Sequence, residues 1–102
     1  MTRFFIKWWV DYSRLPDTPL DAAKRRLPLL EAVKAVLSSG TFREWGQLGN
    51  GMNGYAISDA SEAEIYAAML RWTPVVQYKV FPLLNVDQSM EAVKKAIAAM
   101  QA

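Results

Sequence analysis

Hydrophobic and polar positions alternate along residues 2–12 with the period of two that predicts a β-strand. The even positions are almost wholly apolar and are expected to face the core: Phe4, Ile6, Trp8, Val10 and Tyr12. The odd positions place Phe5 and Trp9 between charged residues. Leaving these two rings in water would forgo roughly 1.5–3 kcal/mol each. We therefore expect a second subunit, or the wall of a pocket, to cover the odd face.

The first helix is predicted from its start signals and from its period. Thr18 provides an N-cap hydroxyl and Pro19 occupies the first helical position. Apolar residues then recur at intervals of three and four up to Leu37, and Gly40 lies where a C-terminal cap belongs. Pro28 interrupts this pattern, and the sequence leaves open whether the helix kinks there or divides into two.

Two further helices follow the same logic. Ser61 and Glu64 form a capping-box pattern, so a second helix is expected over residues 62–72. Asp87 is expected to cap a last helix. That helix carries a narrow apolar stripe of Met90, Val93, Ile97 and Met100. We expect it to dock on the domain's own core or on a neighbouring subunit.

The remaining strands complete a familiar arrangement. Residues 41–48 and 55–58 read as two strands of a hairpin, joined by the turn formers of residues 49–54, and residues 75–84 read as a fourth strand. The order is β-α-β-β-α-β with a trailing helix, which predicts one ferredoxin-like α+β domain over residues 1–102. Its sheet has one open face, and two such faces packed together would form a dimeric α+β barrel.

Composition removes several kinds of chemistry. The chain has no cysteine and no histidine, which excludes thiol nucleophiles, thiolate metal sites and imidazole bases. The carboxylates show no metal-ligand spacing, so neither a metal nor another cofactor is expected. A net charge of +2 argues against nucleic acid as the partner. No signal peptide and no long apolar run is apparent, so we expect no membrane contact and a cytoplasmic location.

A family resemblance is carried by several motifs. These are Gly40-Thr41-Phe42-Arg43, the spacing from it to Tyr55 and Asp59, the helix opening Ser61-x-x-Glu64-Ile65, and the ending Tyr78-x-Val80-x-Pro82-Leu83. Over residues 2–84 the chain resembles the muconolactone isomerase-like proteins of the dimeric α+β barrel superfamily, which include small bacterial members of unassigned function. The resemblance implies a homodimer or larger homo-oligomer, with a pocket in each subunit for a small organic acid or lactone. The isomerases carry histidine where this chain has Glu44 and the Gly51-Met52-Asn53 loop.

A ligand-binding group is predicted from cationic and aromatic residues on the strands. Its members are Lys7, Trp9, Arg43, Trp45, Tyr78 and Lys79. A cation between aromatic walls suits a carboxylate ligand. The same residue types are also enriched at subunit interfaces, and the pattern favours that interpretation.

Acid–base chemistry would have to use carboxylates and phenols. Glu44 or Asp11, with a raised pKa, would be the base, and Tyr55 or Tyr78 the proton donor. Of these, Glu44 and Tyr55 are the predicted catalytic pair. The sequence leaves open whether the protein is an enzyme.

Two other functions are compatible with the same residues. A non-catalytic structural or interaction module fits the missing histidine and the many aromatic residues. RNA binding comes third, because Asn53-Gly54-Tyr55-Ala56-Ile57 only partly matches the third-strand motif of RNA-recognition modules. The Lys24-Arg25-Arg26 triplet fans around its helix and makes no single basic face. The loop of residues 49–54 lacks the features of a phosphate cradle, but it could close over a pocket.

Overall fold

The computed structural model describes residues 2–102. Its four strands are β1 (Arg3–Val10), β2 (Glu44–Gln47), β3 (Asn53–Ser58) and β4 (Val76–Leu83). Its three α-helices are α1 (Pro19–Ser38), α2 (Glu62–Met69) and α3 (Val86–Gln101), and a short 3-10 helix spans Tyr12–Arg14. The predicted order of elements is confirmed for the described residues. They form a small α+β structure consistent with the ferredoxin-like fold.

The four strands form one antiparallel sheet in the order β2-β3-β1-β4. In this register Lys7 lies opposite Tyr55 on one side and opposite Lys79 on the other. Because side chains alternate along a strand, these three residues share one face of the sheet. We call this the open face; the opposite one, against which α1 and α2 pack, is the core face.

The core face carries the even side chains of β1, as the alternation predicts. Phe4, Ile6 and Trp8 are buried, and Val10 packs against them. The helices contribute buried residues from one side each: Val33 and Val36 from α1, and Ile65 and Met69 from α2. The prediction is wrong for Tyr12, which is 51% exposed because the strand ends at Val10 and Tyr12 begins the 3-10 helix.

Helix α1 begins and ends where the sequence indicates. The Thr18 hydroxyl accepts a hydrogen bond from the backbone N–H of Asp21 at 3.2 Å. Gly40 follows the helix with a φ of 82°, a left-handed conformation that glycine adopts without steric cost. The helix is continuous through Pro28, so the chain forms one helix here rather than two.

Several boundaries in the middle of the chain differ from those predicted, and β3 begins at Asn53 rather than at residue 55. Helix α2 ends at Met69 rather than at Trp72. Trp72 is nevertheless buried, and its indole N–H donates to the carbonyl of Leu29 on α1 at 2.9 Å. The hairpin strand β2 begins at Glu44 rather than at residue 41, and the Arg43 N–H just before it donates to the carbonyl of Ile57 on β3.

Helix α3 departs most from expectation. Its N-cap is Asn85, which forms a full capping box with Gln88, so Asp87 lies in the first turn instead. Every residue of α3 is exposed, so the expected docking on the domain's own core is wrong. The described chain measures 63 Å in its longest direction and only 26 and 22 Å in the others. Within residues 2–102, no helix combines the length and the apolar character needed to cross a membrane.

Candidate functional site

A cavity of about 130 Å³ lies between α1 and the core face of the sheet. Aromatic and aliphatic side chains form most of its wall, among them Trp8, Leu29, Val33, Phe42, Trp45 and Trp72. Two aromatic stacks shape it. Trp8 stacks on Trp45 with ring centroids 5.4 Å apart, and Phe42 stacks on Trp72 at 5.9 Å.

Two of the three tryptophans that line the cavity, Trp8 and Trp72, have indole N–H groups hydrogen-bonded to backbone carbonyls. Trp8 donates to the carbonyl of Tyr55 at 3.3 Å, and Trp72 donates to that of Leu29 at 2.9 Å. Because the polar edges of these two rings are occupied, the rings offer the cavity mainly carbon surface. The cavity therefore suits an apolar group such as a ring.

One end of the cavity is polar. Arg26 from α1 and Gln47 from β2 line it there. The Arg26 guanidinium donates from Nη1 to the carbonyl of Gly51 at 2.9 Å, which ties the β2–β3 loop to α1. Gly51 has a φ of 75°, the left-handed conformation that this turn requires. Among residues 2–102 no carboxylate lies within ion-pairing distance of Arg26.

Arg26 was missed at the sequence level, where it was grouped with Lys24 and Arg25. Its spacing provides a signal that could have found it. Arg26 precedes Leu29 by three residues and Val33 by seven, which places it on the same side of the helix as these inward-facing residues. Arg25 is exposed, since consecutive helical residues point about 100° apart.

The predicted ligand-binding residues do not form one cluster. Lys7, Trp9 and Lys79 lie on the open face, as the register requires. Trp45 and Tyr78 point to the core face, where both pack against the buried core. The grouping therefore needs correction. Adjacent residues of β2 face opposite ways, and it is Glu44, opposite Ile57, that lies on the open face.

Arg43 belongs to an ion-pair cluster at the end of the sheet. The carboxylate of Asp59 accepts from Arg3 Nε at 2.7 Å and from Arg3 Nη2 at 2.9 Å, and it accepts from Arg43 Nε at 3.1 Å. These hydrogen bonds, chiefly those from Arg3, lower the pKa of Asp59 to about 2. The cluster joins the start of β1 to the residues that flank β2 and β3. Its geometry accounts for Arg43 without a ligand.

The predicted catalytic residues meet on the open face. The Tyr55 hydroxyl donates to the carboxylate of Glu44, and this hydrogen bond raises the pKa of Tyr55. The Tyr55 ring also stacks on Phe5, with centroids 6.2 Å apart and planes 4° apart. Glu44 and Tyr55 therefore lie on the side of the sheet that faces away from the cavity.

The alternative acid–base residues lie elsewhere. Asp11 caps the 3-10 helix and accepts from the backbone N–H and hydroxyl of Ser13 at 3.1 and 2.6 Å. Hydrogen bonding from Ser13 lowers the pKa of Asp11, so the raised pKa expected of a base is wrong for this residue. Burial raises the pKa of Tyr78. Among residues 2–102, the Tyr78 hydroxyl forms no hydrogen bond with a carboxylate.

Apolar side chains form a patch on the open face. Its members lie on three neighbouring strands: Phe5, Trp9, Ile57, Phe81 and Leu83. Phe81 is 46% exposed and the others are half-buried. The two lysines, Lys7 and Lys79, lie directly opposite each other beside this patch. In residues 2–102, no three carboxylates come close enough together to hold a metal ion.

The sequence of the chain matches the model of a protein family. A family model described as a domain of unknown function (DUF3303) matches residues 2–97, and the chain belongs to that family. None of the curated proteins compared with it matches.

Proposed function

We propose that this DUF3303 protein binds a small organic acid or lactone with a single ring in the cavity between α1 and the sheet. The observation that carries the proposal is the combination of an aromatic cavity of about 130 Å³ with Arg26 and Gln47 at one end. An apolar cavity of about 150 Å³ holds a benzene-sized ring. A ligand with one ring therefore matches the space.

Arg26 is the side chain that gives the site its selectivity. A guanidinium has five N–H donors, and the hydrogen bond to Gly51 uses one of them. The others suit a carboxylate or a lactone carbonyl at the polar end of the cavity, where a charge-assisted hydrogen bond is stronger than a neutral one. The ring of the ligand would then lie between the aromatic walls, as in most small-molecule sites.

Binding is better supported than reaction at this site. Among residues 2–102, Arg26 is the one ionisable side chain that lines the cavity, so no carboxylate or phenol of these residues is at hand to move a proton. Glu44 and Tyr55 lie across the sheet from it. An isomerase-like reaction, which the resemblance to muconolactone isomerase-like proteins implies, would need the Glu44–Tyr55 pair and a ligand on the open face. We keep that as a second candidate, supported by their hydrogen bond.

We also propose that two copies associate through their open faces to form a dimeric α+β barrel. The support is the patch of Phe5, Trp9, Ile57, Phe81 and Leu83, which no helix of residues 2–102 covers. An apolar patch rimmed by charges is typical of an interaction surface. If the patch serves only assembly and the cavity binds nothing, the protein is a structural or interaction module.

Light scattering of the purified protein tests the dimer. Phe81→Lys should shift the dimer toward monomer, because it places a third lysine beside Lys7 and Lys79. Leu70→Lys is the matched control, since Leu70 is exposed but lies just after α2. A monomeric parent protein would rule out the barrel.

A titration with benzoate, and a second one with its neutral analogue benzamide, tests ligand binding in the cavity. Tryptophan fluorescence monitors binding in both. We expect Arg26→Gln to weaken benzoate binding about tenfold, the loss of one charge-assisted hydrogen bond, and to change benzamide binding much less. Arg25→Gln is the control, because Arg25 is the exposed neighbour on the same helix. Equal benzoate binding by parent and Arg26→Gln would show that Arg26 does not select the ligand. If benzoate, benzamide and γ-valerolactone all fail to bind, the proposal is overturned.

A further inference from the structure

The apolar stripe of α3 is exposed along its whole length. It comprises Val86, Met90, Val93, Ile97 and Met100, whose exposures range from 49% at Ile97 to 83% at Met100. Helix α3 has 16 residues and is about 24 Å long, and most of the stability of a helix in a protein comes from packing of its apolar face. A contiguous apolar stripe on such a helix indicates a surface that another element covers.

The spacing of the stripe specifies the kind of element. Its intervals are four, three, four and three residues, the a/d repeat of a helix that pairs with another helix. The repeat is narrow, and its flanks differ. Asp87 and Lys94 lie along one flank, and the small residues Ser89 and Ala96 lie along the other. The small flank lets two helices approach closely.

The charges of α3 specify its partner and direction. Its acidic residues, Asp87 and Glu91, precede its basic residues, Lys94 and Lys95. In a parallel pair of two such helices, the charged flank of one would meet the small flank of the other, so Asp87 and Lys94 would lack a charged partner. In an antiparallel pair, the acidic half of each helix meets the basic half of the other. The two helix dipoles then point in opposite directions, which is favourable.

We infer that α3 pairs antiparallel with α3 of a second copy of this chain. In the register that fits the repeat, Val86 lies opposite Ile97 of the second copy and Met90 lies opposite its Val93. Asp87 then lies beside Lys94 of the second copy, and two-fold symmetry makes this contact twice. The inference rests on the self-association proposed above and names a second surface that contributes to it.

Disulfide trapping tests the direction of the pair, because the natural chain has no cysteine. Val86→Cys and Ile97→Cys are purified separately, mixed under reducing conditions and then oxidised. In the antiparallel pair residue 86 faces residue 97, so the mixture should crosslink. Neither variant should crosslink to itself, since its two cysteines would be about 16 Å apart, far beyond the roughly 7 Å limit between disulfide-bonded Cα atoms.

A charge exchange tests the register. Asp87→Lys and Lys94→Asp should each weaken the dimer about fivefold, because each converts two attractions into two repulsions. The double variant should restore the affinity of the parent, and circular dichroism verifies that all three remain helical. Equal affinities for all four proteins would overturn the register.

The outcomes separate this inference from the proposed dimer. Crosslinking of Val86→Cys to itself would mean a parallel pair and would overturn the inference. A dimer by light scattering in which no variant or mixture crosslinks would overturn helix pairing and leave the open-face dimer intact. A monomeric parent would overturn both.

Discussion

Trp8 and Trp45 stack across an intervening strand. They lie on β1 and β2, and β3 runs between these two strands, yet their ring centroids are 5.4 Å apart and their planes 9° apart. Gly54 on β3 makes this contact possible, because it pairs with Trp8 and the indole occupies the space where a side chain at 54 would lie. The aromatic wall of the cavity thus depends on a glycine.

Replacing that glycine should be costly. In Gly54→Ala the new Cβ would meet the indole of Trp8 and the carbonyl oxygen of Gly46, and the latter belongs to the backbone and cannot turn aside. We expect the free energy of unfolding to fall by about 2–3 kcal/mol, measured by urea denaturation. Gly49→Ala is the control, because a Cβ there meets no atom within 4 Å. Similar stabilities for the two variants would argue against the close approach of Trp8.

Trp45 and Trp9 were predicted to share one site, and the structure separates them. Both are half-buried, but Trp45 lines the cavity and Trp9 lies on the open face. Trp45→Ala should lower the free energy of unfolding by about 2–3 kcal/mol, less than the 3–5 kcal/mol typical of a fully buried aromatic residue. It should also abolish benzoate binding in the fluorescence titration.

Trp9→Ala is the matched comparison for that variant. It should keep benzoate binding, since the substituted ring lies on the other side of the sheet. If Trp9→Ala loses benzoate binding and Trp45→Ala retains it, the ligand occupies the open face and the cavity proposal is wrong.

The strength of the local signals explains which parts of the fold could be predicted. The alternation along β1 as far as Val10, the Thr18 cap and the C-terminal cap at Gly40 are each encoded within a few residues, and these predictions are confirmed. The terminus of α3 was misread because Asn85 and Asp87 are both good N-caps, and only the structure shows that Gln88 completes the box with Asn85. Cytoplasmic location and a single domain over residues 1–102 stay predictions.

The candidate site could be predicted only in part, because a site depends on register. No feature of the neighbouring sequence indicates whether Glu44 or Trp45 faces the core. The pairing of Glu44 with Ile57 on β3 decides it. The same pairing brings Glu44 within reach of Tyr55, two residues that the sequence named but could not place together. Arg26 was overlooked because a triplet that makes no single basic face can still place one of its members on the inner side of the helix.

The Glu44–Tyr55 hydrogen bond should be visible in the titration of the phenol. The bond to Glu44 is the main cause that raises the pKa of Tyr55, so Glu44→Gln should lower that pKa toward its ordinary value of 10.0. The measurement is the tyrosinate absorbance as pH rises, with the curve of Tyr55→Phe subtracted to isolate this phenol from the other three tyrosines. Identical curves for parent and Glu44→Gln would mean that the two side chains do not interact in solution.

The Asp59 cluster should make stability depend on acidity in a defined range. The pKa of Asp59 is about 2 in the folded chain, held down by Arg3 and then Arg43, against an ordinary value of 3.8. Since the folded state favours the ionised carboxylate, its stabilising contribution is complete above about pH 4 and is lost as the pH falls through the folded pKa. Asp59→Asn should therefore melt at a lower temperature than the parent at pH 7, and the two melting temperatures should converge near pH 2.

Asp17→Asn serves as the control, because Asp17 is exposed and forms no ion pair among residues 2–102. A constant difference between parent and Asp59→Asn from pH 7 to pH 2 would show that the ionised carboxylate does not hold the two arginines.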